Sequence, residues 1–91
     1  MKQRFEFEFE DESERGTISF DYSESVDERL SVSIEAGVAV VYANRAALLV
    51  LAKTLIKMAI CGYPDGFHVH LAEDFDADRP ETLRVILNET E

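Results

Sequence analysis

From residue 5 to residue 10 aromatic and acidic side chains alternate without a break. Phe5, Phe7 and Phe9 fall on one parity and Glu6, Glu8 and Glu10 on the other. A period of two predicts a β-strand with a phenylalanine face and a carboxylate face. After the charged turn DESERG the pattern returns in GTISFDYS, with Ile18, Phe20 and Tyr22 on one face and Ser19 and Asp21 on the other. A polar turn, SESVDE, leads into RLSVSIEA, where Leu30, Val32 and Ile34 alternate with Ser31, Ser33 and Glu35. Ala36-Gly37 suits a tight reversal, because glycine takes a positive φ at little cost. GVAVVYA then reads as a fourth strand, with Val38, Val40 and Tyr42 assigned to the core face and Ala39, Val41 and Ala43 to the other.

Asn44 changes the period. It is a good helix N-cap, and RAALLVLAKTLIKMAI after it has helical spacing. Leu48, Leu51, Ala52, Leu55, Met58 and Ala59 form one apolar stripe, which is the expected core face. Lys53, Thr54, Lys57 and Val50 fall opposite. Gly62 fits the position after the helix C-terminus, where Lys57 also complements the dipole. Arg45 stands at the end that disfavours a cation, so a strand carboxylate or a ligand is expected to account for it. YPDG is a turn. FHVHLA is a fifth strand with Phe67, Val69 and Leu71 inward and His68 and His70 outward. The acidic loop EDFDADRPE precedes a sixth strand, LRVILN, with Leu83, Val85 and Leu87 inward. The order β-β-β-β-α-β-β predicts an α+β two-layer sandwich. In it a mostly antiparallel sheet carries one long helix on one face, and residues 1–91 form a single domain.

A single helix covers only one face of such a sheet. Glu6, Glu8, Glu10, Asp21 and Glu35 are then the outer residues of the first three strands. Carboxylates there keep the face soluble and discourage edge-to-edge pairing. Aimed at a ligand, they select a basic one.

Charge sharpens that choice. The chain has 91 residues and a net charge of −10, unevenly spread. Residues 1–35 carry eleven acids against four bases, residues 36–64 no acid and three bases, and residues 65–91 eight acids against two bases. Nucleic acid and anionic membrane surfaces need a basic footprint that is missing, so neither is an expected partner. The longest uninterrupted apolar run, residues 46–52, is far short of the roughly 20 residues that span a bilayer. MKQRFEFE has acids where a secretion signal needs an apolar stretch. One cysteine, Cys61, fits a reducing compartment, and the expected location is the cytoplasm.

The chemistry-bearing residues are few. His68 and His70 point the same way on a strand and could share a metal, with Glu73, Asp74 or an outer glutamate as third ligand. The plain alternative is two surface histidines beside carboxylates. Asp74, Asp76 and Asp78 imitate the start of a calcium loop, but Arg79 replaces the required Gly, Pro80 follows, and Val85 stands in place of the bidentate Glu. Cys61 has no neighbouring cue for a low pKa, and no glycine loop suited to phosphate is present. The residues support neither an enzyme nor a cofactor. Val41 and Ile86 are apolar on the expected outer face, and as neighbours they would seed a homodimer.

The stretch VYANRAALLVLAKTLIKMA, followed by HVHL and then LRVIL, resembles the immunity protein 32 family of bacterial polymorphic toxin systems. The resemblance covers about Gly37 to Leu87 and rests on Asn44, Leu48, Leu51, Ala52, Leu55, His68, His70 and Leu71. It implies a cytoplasmic protein that binds and neutralises a cognate toxin without catalysis of its own. The charge pattern adds that the toxin is basic and meets Glu6, Glu8, Glu10, Asp21 and Glu35, with His68 and His70 on the same face.

Overall fold

The tight reversal at Ala36-Gly37 forms as expected, and it fixes more than a turn. In the computed structural model, which describes residues 1–21, 27–72, 75 and 80–89, Ala36 and Gly37 have φ of 52° and 80°. Two consecutive positive values make the two-residue hairpin turn whose twist matches its strands. The turn joins β1 (Leu30–Glu35) to β2 (Val38–Ala43). Its closing pair, Glu35 with Val38, sets the register back to Leu30 opposite Ala43 and Val32 opposite Val41.

Opposed residues in an antiparallel pair share a face. Ala39, Val41 and Ala43 therefore lie on the side of the buried Leu30, and Val38, Val40 and Tyr42 share the serine side. The expected faces of β2 are thus exchanged. A two-residue turn leaves no freedom of parity, so the register overrides the larger apolar content of the Val38 face.

The helix α1 (Arg45–Ile60) follows at once, and then β3 (His68–Ala72) and β4 (Glu81–Ile86). A 3-10 turn, Ser13–Arg15, precedes β1. The fold is α+β with antiparallel strands and one long helix. The expected continuous sheet is replaced by two two-stranded sheets, β1–β2 and β3–β4. They meet where the Val32 N–H donates to Thr82 Oγ1 at 3.2 Å. In β3–β4 the faces are as expected: Val69 opposes Val85 and Leu71 opposes Leu83 inside, while His68 opposes Ile86 and His70 opposes Arg84 outside. Val41 thus sits on the core side of its hairpin and Ile86 on the outer side of the other, so they do not form one patch.

Asn44 caps α1 by accepting from the Ala47 N–H at 2.9 Å. The same side chain accepts from the Arg29 N–H at 3.2 Å and donates to the Asp27 carbonyl at 2.6 Å. One residue therefore ties the helix start to the start of β1. The helix is rotated from its expected setting. Ala47, Val50, Thr54, Lys57 and Met58 are its buried residues, and Leu48, Leu49, Leu55 and Ile60 are exposed. The helix is apolar nearly all round, so hydrophobicity alone does not choose a face. Partners decide it. Thr54 Oγ1 donates to the Val50 carbonyl at 2.9 Å, and Lys57 Nζ donates to the Ser19 carbonyl at 2.8 Å and faces Asp21. The core gathers Leu30, Ala47, Val50, Met58, Val69, Leu71 and Phe75, with Ile18, Phe20 and Leu83 packed against it.

Residues 5–10 are not part of a sheet, and the same holds for residues 17–21. The alternation of Phe5 to Glu10 nevertheless works as a two-sided ribbon. Its rings contact one another along one side, Phe5 tilted against Phe7 at 5.5 Å and Phe7 stacked on Phe9 at 5.1 Å. Lys53 and Lys57 of α1 lie over Phe7 and Phe9 at 5.8 and 5.6 Å, within cation–π range. Helix contact has taken the place of strand pairing. Tyr22, Glu73, Asp74, Asp76, Asp78 and Arg79 lie outside the described residues, and with them the calcium-like spacing and two of the possible third metal ligands.

Candidate functional site

The ribbon of residues 5–10 presents three exposed carboxylates, Glu6, Glu8 and Glu10. A groove of ≈ 650 Å³ runs between it and the helix, lined by Phe5, Phe7, Phe9, Ile56 and Ile60 together with Glu6 and Glu8. Phe7 and Phe9 are half-buried, so the ring side is anchored, and Glu6, Glu8 and Glu10 are exposed. Glu6 is paired with Arg4. These three carboxylates form a row, but the row belongs to a free ribbon and not to the outer face of a sheet.

The other expected acids are not gathered around it. Asp21 faces inward. Its Oδ2 is 2.7 Å from Lys57 Nζ, an ion pair, and has no hydrogen-bond partner among the described residues. Its charge is committed within the fold. Glu35 closes the β1–β2 turn and accepts from Ser33 Oγ and from Tyr42 OH, each at 2.7 Å. Those two hydroxyls, Ser33 first, hold its carboxyl below the usual range. Glu12, which sequence reasoning passed over, is similarly built in. It accepts from the Ser19 hydroxyl and N–H and from Thr17, and is held below its ordinary value chiefly by the Ser19 hydroxyl.

His68 and His70 lie together on the outer face of β3, with ring centroids 4.8 Å apart. Each has one ring nitrogen engaged: His68 Nδ1 is 3.2 Å from the Gly66 carbonyl, and His70 Nδ1 meets Glu81. Glu81 also accepts from Arg84 Nη2 at 2.9 Å and Nε at 3.2 Å. Arg84, and to a lesser extent His70, hold the Glu81 carboxyl below its ordinary value. The result is a surface chain of His70, Glu81 and Arg84. Neither Glu81 nor Arg84 stood out in the sequence, because only the β3–β4 register brings them beside His70. Among the described residues no group of three or more His, Cys, Asp or Glu side chains is placed to hold a metal. Loss of hydration pushes the Cys61 thiol up, and the Asp11 carboxylate adds to this, the reverse of what a nucleophile needs.

Among the described residues no helix is long and apolar enough to cross a membrane. No curated protein and no solved structure gives a significant match to the chain. A family model does match it, that of immunity protein 32, over residues 39–88. The matched stretch starts inside β2 and runs past the end of β4. It takes in Asn44, α1, His68 and His70, and leaves out Glu6, Glu8, Glu10, Asp21 and Glu35. With more than half of its length under that model, the chain belongs to the immunity protein 32 family, whose members act as non-catalytic binders.

Proposed function

We propose that this immunity protein works in the cytoplasm by binding a basic toxin, and that the carboxylate row Glu6, Glu8 and Glu10 faces that toxin. One observation carries the reading: the phenylalanine side of the ribbon is held on α1, so the carboxylate side is turned to solvent. A toxin that acts on nucleic acid presents a basic surface, and a row of like charges speeds encounter with it. Glu35, His68 and His70 are exposed on other parts of the surface and contribute charge and contact at the margin. Asp21 is withdrawn from the binding set, because Lys57 neutralises it.

The row lies outside the matched residues 39–88, so its support comes from the geometry of the ribbon and not from the family match. The test is the association rate with a toxin encoded beside the gene, for wild type and for the variant with Glu6, Glu8 and Glu10 all changed to Gln. The variant is expected to associate more slowly at low salt. Added salt should bring the wild-type rate down toward it, because screening acts on the same attraction. Equal rates at low salt would leave the row as a solubilising surface only.

A further inference from the structure

Among the described residues β2 has a partner on one side only. Val38, Val40 and Tyr42 sit opposite Glu35, Ser33 and Ser31. The pair that closes a two-residue turn exchanges both of its hydrogen bonds, and such pairs alternate along the ladder. Ala39, Val41 and Ala43 therefore direct their N–H and C=O groups to the outer edge. The equivalent edge of β1 is covered, since the Val32 N–H reaches Thr82. No backbone hydrogen bond from the described residues reaches the β2 edge. The strand, VAVVYA, has no charge and no proline, the usual protections of a free edge. Both of its faces are apolar and wet: Val41 is 45% exposed on one, Val38 60% and Tyr42 53% on the other.

We propose that this edge pairs, antiparallel and about a two-fold axis at Val41, with the same edge of a second copy of the chain. That register sets Val41 against Val41 and Ala39 against Ala43, and joins all of the outward backbone groups. Two features of charge favour a second copy. Residues 36–64 are the stretch of this acidic chain without a carboxylate, so like strands meet there without opposed acids. The same register also lays Arg45 of each copy beside the turn of the other, whose charged residue is Glu35. Arg45 is exposed and makes no ion pair among the described residues, and the helix N-terminus disfavours it. The opposing turn supplies the missing anion.

The test is the solution mass of the full chain by sedimentation over rising concentration, for wild type and five variants. Wild type is expected to reach the mass of two chains. Val41→Lys places a charge on the axis, and Val41→Pro removes an N–H that points away from β1. Both should remain folded by circular dichroism and stay monomeric, while Ile86→Lys on the other hairpin dimerises as wild type does. Arg45→Glu should weaken the dimer, and adding Glu35→Arg should restore it. A wild-type mass of one chain at every concentration overturns the proposal. So does a dimer that survives Val41→Lys, or one that Ile86→Lys abolishes.

Discussion

Lys57 lies with its side chain only 4% exposed, and its ammonium is 2.7 Å from Oδ2 of Asp21, whose side chain is 40% exposed. The two ends of this ion pair stand in different surroundings, so their removal should not cost the same. Asp21→Asn leaves a buried cation with the Ser19 carbonyl as its hydrogen-bond partner, and should destabilise by about 2–3 kcal/mol. Lys57→Met leaves Asp21 Oδ2 without its partner, but the rest of that side chain reaches water, so the loss should be smaller, about 1–2 kcal/mol. Urea unfolding of the two variants measures the difference. A larger loss for Lys57→Met would show that the pair is not oriented in this way.

The rotation of α1 gives a sharper contrast. Met58 is 5% exposed and Leu55 39% exposed, although the sequence stripe placed both in the core. Met58→Ala should lower stability by about 2–5 kcal/mol. Leu55→Ala should lower it by less than about 1 kcal/mol. Similar losses would return the helix to the orientation expected from its apolar stripe.

Acid should loosen the loop that Glu12 organises. Its carboxyl is held below the ordinary value of 4.5 by the hydroxyl and N–H of Ser19. An unfolded chain therefore takes up that proton more readily than the folded one. The contribution is complete above about pH 5 and is lost as the pH falls through the folded value. Glu12→Gln should flatten the fall in urea midpoint below about pH 5. Glu35 and Glu81 shift in the same direction, so part of the slope should remain.

His68 and His70 provide the test of the metal reading. With His70 held by Glu81 and His68 turned to the Gly66 carbonyl, zinc added to protein purified without an affinity tag should not bind stoichiometrically. A tightly held zinc ion that is lost in His68→Ala would establish a metal site on β3.

Local chemistry was legible in the sequence. The Asn44 cap, the Ala36-Gly37 turn and the inward faces of β3 and β4 are all where short-range rules put them. The face of β2 was legible too, because a two-residue turn pairs Leu30 with Ala43, but the larger apolar content of the Val38 side hid it. What could not be read depends on distant partners. Alternation tells which way Phe7 and Glu8 point, but not whether their backbone finds a strand to pair with. Periodicity cannot reveal that Asp21 and the Ser19 carbonyl will draw Lys57 inward. The candidate site suffered most, since the acidic residues assigned to one face are divided between a ribbon, a hairpin turn and an internal ion pair.

The hydroxyl of Thr82 on the Val32 amide has a consequence in time as well as in space. The hairpins abut along a seam where this side-chain bond, 3.2 Å long, stands in for a ladder. The bond at such a seam breaks when the Thr82 side chain changes rotamer, without peeling a strand. Small, frequent openings at the Val32 amide therefore need not disturb the core that Leu30 shares with Val69 and Leu71. The amide of Val32 should exchange its hydrogen for deuterium well before that of Ser33, which points into the β1–β2 ladder. A partner that grips both hairpins should slow Val32 selectively.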